Sequence, residues 1–216
     1  MKTILLTAFE PFGGEALNAS WEVARRLHGT LTADGSRVIA MQLPCVFERA
    51  LRVLEERLDS LRPQTVVALG QAGGSPCVRL ERVAINLDDA CMVDNAGQQP
   101  IDVPVIHGGP TAYFSSLPIK AMASALRKAR VPVSVSHSAG TYVCNHVFYG
   151  LMHEAGHRQS LERAGFIHLP YLPEQVMRYL KVPAMSLATQ LRAMRLALWV
   201  VQTIHKDEIL SEGALD

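Results

Sequence analysis

Cys144 stands in Ser138-Ala139-Gly140-Thr141-Tyr142-Val143-Cys144-Asn145-His146, where Gly140 and Thr141 suit a turn leading into a helix. A cysteine in the first turn of a helix meets the positive end of the helix dipole and free backbone N–H groups. Both favour a thiolate, and such N–H groups also suit an oxyanion. A buried structural cysteine is the commoner fate of a free thiol, so the local sequence alone leaves both readings open. A thiolate nucleophile also needs a base and a group that orients it. His168, between Ile167 and Leu169 at the end of an apolar segment, is the candidate base; its alternative is a core histidine bonded to a backbone carbonyl. Glu81, in Leu80-Glu81-Arg82-Val83-Ala84-Ile85-Asn86, is the candidate carboxylate; its alternative is an ion pair with a neighbouring arginine.

One motif points to different chemistry. His153-Glu154-Ala155-Gly156-His157 matches the H-E-x-x-H pattern of zinc peptidases, with Glu162 or Glu174 available as a third ligand. Gly156 is expected to end the helix, which takes His157 off the face that His153 occupies. Gly13-Gly14 and Gly73-Gly74 permit close approach of backbone to a ligand, but they equally suit plain strand–helix turns. Neither matches a dinucleotide fingerprint or a P-loop, so phosphate binding has no support.

These residues must be held by a framework, and the chain is long enough to build one. It has 216 residues, 49% of them hydrophobic, and a formal net charge of +1. That balance gives no reason to expect nucleic acid or an anionic membrane surface as a partner. The N-terminal apolar run is interrupted by Glu10-Pro11, too early for a secretory leader. The segment Leu191 to Ile204 carries Arg192, Arg195 and Gln202, so it is not expected to span a bilayer. Cys45, Cys77, Cys91 and Cys144 are scattered without a C-x-x-C pair, which reads as free thiols in a reducing, cytoplasmic compartment.

Short apolar strands alternate with helical segments. Strands are expected at Thr3–Ala8, Arg37–Leu43, Thr65–Leu69, Val131–Ser136 and Phe166–Leu169, with β-type content at Val78–Asn86. Helices are expected from a Ser20 cap to about His28, from after Pro44 to Pro63, over Ile119–Ala129 and Tyr142–Ala155, and from a Ser186 cap to about His205. The turn-rich stretch from Asn86 to Gly109-Pro110 exceeds ordinary loop length, so it is functional or hides small strands. Alternation of this kind predicts an α/β fold: one domain over 1–216, a three-layer α/β/α sandwich with a mostly parallel central sheet. The segments after the first, third, 131–136 and 166–169 strands are expected to meet at one crevice beyond the carboxyl ends of the strands.

The motifs together resemble a known family. The chain is similar to pyroglutamyl peptidase I (pyrrolidone-carboxylate peptidase) in Thr7-Ala8-Phe9-Glu10-Pro11-Phe12-Gly13-Gly14, Gly70-Gln71-Ala72-Gly73-Gly74, Glu81-Arg82-Val83-Ala84-Ile85-Asn86, Ala139 through His146, and Phe166 through Pro173. The resemblance implies removal of an N-terminal pyroglutamyl residue from peptides by a cysteine peptidase. In that reading Cys144 is the nucleophile, His168 the base and acid, and Glu81 the orienting carboxylate. Phe9, Phe12, Tyr142 and Val143 would surround the pyroglutamyl ring, with Asn18 and Gln71 as polar neighbours. No metal or cofactor is implied, and a homotetramer is. Where the family usually has arginine this chain has Cys91, and Ser75-Pro76-Cys77 replaces another Arg-containing stretch; His137-Ser138 stands for Gln-Thr and Ala19 for a proline. A shifted rate or pH optimum is expected from the lost arginine. The alternatives are a weakened or inactive relative that acts as a binding protein and, more distantly, the zinc peptidase.

Overall fold

The computed structural model describes residues 2–177 and 181–213. Its centre is a six-stranded sheet. In spatial order the strands are β2 (Arg37–Leu43), β1 (Thr3–Phe9), β3 (Thr65–Gln71), β8 (Arg163–Leu169), β4 (Val78–Glu81) and β7 (Val133–Ser136). The first four run parallel, β4 is antiparallel to β8, and β7 follows β4. The sheet is therefore mostly parallel, with one reversed edge.

Its central strands β1, β3 and β8 are buried along almost their whole length because both faces are covered. Ile4, Leu6 and Ala8 of β1 pack with Val67 and Leu69 of β3 on one face, while Leu5, Phe9, Val66 and Ala68 point into the other. Helices α1 (Ala19–Leu27), α3 (Ile119–Lys128) and α6 (Leu187–Thr203) cover the first face through Val23, Leu27, Met122, Leu126, Met194 and Val201. Helices α2 (Arg49–Leu61) and α4 (Val143–His157) cover the second through Leu51, Leu54, Val147, Phe148 and Leu151. Period-two alternation assigns side chains to faces. Val78 and Leu80 of β4 lie in the first core, as does Ile167 of β8, so Arg79, Glu81 and His168 project on the side of α4.

Several boundaries differ from the sequence reading. The cap of α1 is Asn18, whose side chain accepts from Ser20 N. Ser20 instead accepts a bond from Phe9 N through its hydroxyl at 3.2 Å, tying the helix to the end of β1. Helix α2 starts at Arg49 because Glu48 adopts φ 54°, outside the helical region. Helix α4 runs through Gly156 to His157 without a break, so glycine is not a terminator there. Gly150 of that helix serves packing: a Cβ on it would lie 2.4 Å from Leu51 Cδ1, so its absence lets α2 approach.

The long turn-rich stretch does hide small strands. A hairpin pairs β5 (Val83–Ile85) with β6 (Ala112–Phe114), and an isolated bridge joins Asp88 to Val103. The rest is held by side-chain amides and carboxylates: Asn86 bonds Ile106 on both its N–H and C=O, and Asp94 accepts from Ala96 N and Gln98 N. A short helix α5 (Pro173–Val176), not foreseen, follows β8. Among the described residues no helix is long and apolar enough to cross a membrane.

Candidate active site

Cys144 occupies the second position of α4, one residue beyond Val143. Asn145 and His146 fasten this first turn. Asn145 accepts from Ile85 N at 3.1 Å and donates to the carbonyls of Ile85 and Leu87, each at 2.9 Å. His146 Nδ1 lies 2.7 Å from Asp88 Oδ2, and its Nε2 accepts from Glu48 N at 3.1 Å. The helix start is thus pinned to the β5 segment on one side and to the approach of α2 on the other. Sequence reasoning missed Asn145, His146 and Asp88 as anchors; polar side chains in the first turn of so apolar a helix were the available signal.

The Cys144 side chain is partly exposed and packs at the margin of the second core. Burial pushes its thiol well above the ordinary range, and the nearby Glu81 carboxylate adds to the effect. These influences oppose the helix N-terminus, from which a ready thiolate was expected. Cys45 is itself buried, and its thiol is pushed up to about 12, chiefly by desolvation.

Glu81 is fully buried, and its Oε1 is 2.8 Å from His168 Nδ1. An ionised carboxylate can only accept, so Nδ1–H donates and Nε2 is left as the basic nitrogen. His168 is thus no carbonyl-bonded core histidine. The alternative assigned to Glu81 is present as well: Arg79 Nε lies 3.7 Å from the same Oε1. The imidazole rests on Gly70 of the neighbouring strand, where an added Cβ would sit 2.8 Å from His168 Cδ2. The Phe166 ring lies beside it over the same glycine, its centroid 4.8 Å from that of His168.

The segment leading to Cys144 does not arrive as expected. Strand β7 runs against β8, so the 137–142 segment does not leave from the same sheet end as those after β1, β3 and β8. It is turned back across the sheet and stapled to the 88–91 segment, with Asp89 N bonding Thr141 O at 2.9 Å and Thr141 Oγ1 bonding Asp89 O at 2.7 Å.

The other predicted residues divide into two groups. Phe12 and Tyr142 are half-exposed, 6.1 Å apart between ring centroids, and Tyr142 stands edge-on to Phe47 at 5.4 Å. Phe9 and Val143 are fully buried, Phe9 facing Phe166 at 6.4 Å. Asn18 and Gln71 are buried with internal partners. Asn18 caps α1 and donates to Glu10 O, whereas Gln71 Oε1 accepts from Ala19 N and Gln175 Nε2. Cys91 is exposed, on the strapped 88–91 segment.

The H-E-x-x-H residues do share one helix face, since the rings of His153 and His157 are 4.5 Å apart; the argument from Gly156 falls. Their Nδ1 atoms are engaged, with Tyr113 OH and with the carbonyl of His153, each at 2.8 Å. Glu154 pairs with Arg158 at 2.6 Å. Among the described residues no third His, Cys, Asp or Glu completes a group able to hold a metal ion.

Comparison with known proteins converges on one family. The family model described as pyroglutamyl peptidase matches residues 2–204. A pyrrolidone-carboxylate peptidase of Chromobacterium violaceum is 54% identical over 215 residues, covering 100% of each chain. That of Bacillus cereus is 49% identical over 214 residues, 99% of each. The crystal structure of pyroglutamyl peptidase I from Bacillus amyloliquefaciens superposes with a TM-score of 0.91 at 43% identity, covering 97% of this chain and 99% of that one. Family and fold expected from the motifs are thereby confirmed: this chain belongs to the pyroglutamyl peptidase family.

Proposed function

We propose that this chain is a cysteine exopeptidase that hydrolyses the bond after an N-terminal pyroglutamyl residue. The observation that carries the reading is the 2.8 Å contact of buried Glu81 with His168, on the sheet face covered by α4, the helix that carries Cys144 in its first turn. His168 Nε2 takes the thiol proton, and Cys144 sulfur adds to the pyroglutamyl carbonyl. Backbone N–H groups at the start of α4 receive the oxyanion. His168 returns its proton to the departing amine, leaving a thioester. Water, deprotonated by His168, then breaks the thioester, frees pyroglutamate and restores the thiol. The sequence consumes only water and calls for no cofactor.

Pyroglutamate is a neutral lactam with an apolar ring, which suits aromatic walls and uncharged polar partners. Phe12 and Tyr142 supply the accessible walls, with Phe9 and Val143 behind them. Asn18 and Gln71 set the turn that carries Phe12 and α1, so their contribution runs through the shape of the pocket. The protein is read as one catalytic domain over 1–216, acting in the cytoplasm as a homotetramer.

The raised Cys144 thiol favours one competing reading, an inactive relative that only binds. Hydrolysis of a pyroglutamyl amide, assayed with iodoacetamide and separately with EDTA, decides. Cleavage blocked by alkylation and indifferent to chelator supports the peptidase. Absence of cleavage with Cys144 inert to alkylation supports the binding protein, and chelator-sensitive cleavage with bound zinc supports the metallopeptidase.

A further inference from the structure

Arg79 joins two parts of the site through one side chain. It stands on β4 directly opposite His168 in the ladder with β8, two residues before Glu81 and on the same face. Its Nε is 3.7 Å from Glu81 Oε1. Its Nη2 donates to Ser136 Oγ at 2.7 Å and to the carbonyl of Ser138 at 3.1 Å. Ser138 belongs to the segment that turns back toward Cys144, and Ser136 Oγ reinforces it with a bond of 3.0 Å to the same carbonyl. One guanidinium therefore spans the carboxylate behind the base and the approach to the nucleophile.

We propose that Arg79 is a positioning residue of this site, holding the Glu81 carboxyl group against His168 and fixing the 136–138 turn from which the Cys144 segment departs. The proposal rests on the peptidase reading only for its kinetic arm. Glu81 is completely buried, and its Oε2 has no hydrogen-bond partner among the described residues. A carboxylate so placed needs a counter-charge to stay ionised. Arg79 is the arginine paired with it; Arg82, next along the chain, interacts with Glu212 instead. Among the described residues the titratable and charged groups around the centre are Arg79 and Glu81 on β4, His168 on β8, Tyr142 and Cys144 at the start of α4, and Cys45 ahead of α2. Within that set Arg79 is the fixed cation, and it offsets the negative charge that Glu81 imposes on Cys144. Its side chain retains 38% exposure, bordering a cleft of about 420 Å³ lined by Gly73 to Cys77 and Ser134, so water and salt screen the effect.

The test compares Arg79→Met, which keeps the stem and removes the charge, with Arg79→Lys, which keeps the charge and loses the fork. Two readouts are taken: the pH midpoint of Cys144 alkylation by iodoacetamide, followed by mass spectrometry, and the pH profile of kcat/KM on a pyroglutamyl amide. Arg79→Met is expected to move the alkylation midpoint upward, by about one pH unit or less at low salt, with the shift shrinking as salt rises. It is expected to lower kcat/KM by roughly tenfold, mainly in kcat. Arg79→Lys is expected to restore the midpoint but only part of the rate. An unmoved midpoint in Arg79→Met, whether or not the melting temperature falls, overturns the proposal. Because alkylation is read without substrate, a parent that fails to cleave pyroglutamyl amides defeats the peptidase reading and leaves this comparison decisive.

Discussion

Glu81 reaches His168 diagonally across an antiparallel pair. The ladder sets Glu81 opposite Phe166 and His168 opposite Arg79, yet Glu81 Oε1 lies 2.8 Å from His168 Nδ1. Diagonal neighbours in such a pair are within reach of long side chains. The offset has a consequence: the place directly opposite the base is free for Arg79, and the acid comes to the imidazole from one register step deeper in the sheet. The reversal of β4 relative to β8 makes this possible, because it brings the end of one strand level with the middle of the next.

Glu81→Gln preserves the shape and an acceptor but removes the charge and can present the amide N–H₂ to the imidazole, selecting the wrong tautomer. A loss on the order of 10²- to 10⁴-fold in kcat is expected, by analogy with an orienting carboxylate in other triads. Stability should change little, since the side chain keeps its shape and the position of Oε2, which lacks a partner, stays unsatisfied. Steady-state kinetics and a thermal melt on one preparation check both halves. A large fall in melting temperature alongside the lost activity would point to a structural role instead.

The Cys144 thiol is raised by burial and by the Glu81 carboxylate, so the proposed mechanism requires His168 to take its proton. The sign follows directly: a higher pKa means less thiolate at neutral pH and reactivity that climbs as pH rises. In His168→Gln that base is gone. Its alkylation by iodoacetamide is expected to reach half-maximal rate at a pH above that of an ordinary cysteine, and at a higher pH than in the parent. A midpoint in the ordinary cysteine range for the variant would contradict the environment described for Cys144.

Gly70 is where the two adjacent strands permit the base to lie flat. An added Cβ comes within 2.8 Å of His168 Cδ2 and of Phe166 Cε1 and Cζ, rigid ring atoms with nowhere to go. Gly70→Ala is therefore expected to tilt the imidazole away from Glu81. Overpacking of this kind costs about 1–3 kcal/mol, and activity should fall by more than the stability loss explains. Chemical denaturation and kcat measured at a temperature where the variant is fully folded separate the two effects.

The sheet strands and the main helices were legible because strand periods of two and helix periods near four are imposed by burial, and burial is written in the apolar residues. Strand direction was not. Nothing in Val78–Glu81 or Val133–Ser136 distinguishes a reversed strand from a parallel one, since four-residue segments of valine or leucine alternating with polar residues suit either direction. Cys144, His168 and Glu81 were found as single candidates, and only the ordered motifs bound them together. Asn18 was placed in the pocket by the family resemblance; its use as the cap of α1 depends on a hydrogen bond to Ser20 that sequence spacing does not single out. Gly156 misled for a simple reason: a helix whose apolar face is packed tolerates a glycine near its end.

His146 and Asp88 form the second buried polar pair of the α4 terminus, and they serve its placement. With Nδ1–H donated to Asp88 Oδ2 and Nε2 accepting from Glu48 N, the imidazole has no capacity left for chemistry. Glu48 sits at φ 54°, an uncommon conformation for a residue with a side chain, and the bond to His146 helps to hold it. His146→Leu leaves the Asp88 carboxylate buried without its partner, and Glu48 N–H without an acceptor. Breaking a buried pair from one side costs about 3–5 kcal/mol, so this variant should be strongly destabilised. In the double variant Asp88→Ala, His146→Leu the orphaned carboxylate is gone, and part of that loss should return. A double-mutant cycle in urea measures the coupling, and additive single effects would show that the pair is not a unit. Where the double variant still folds, its Cys144 alkylation profile should be close to the parent's, because the pair anchors the helix from the side away from Glu81 and His168.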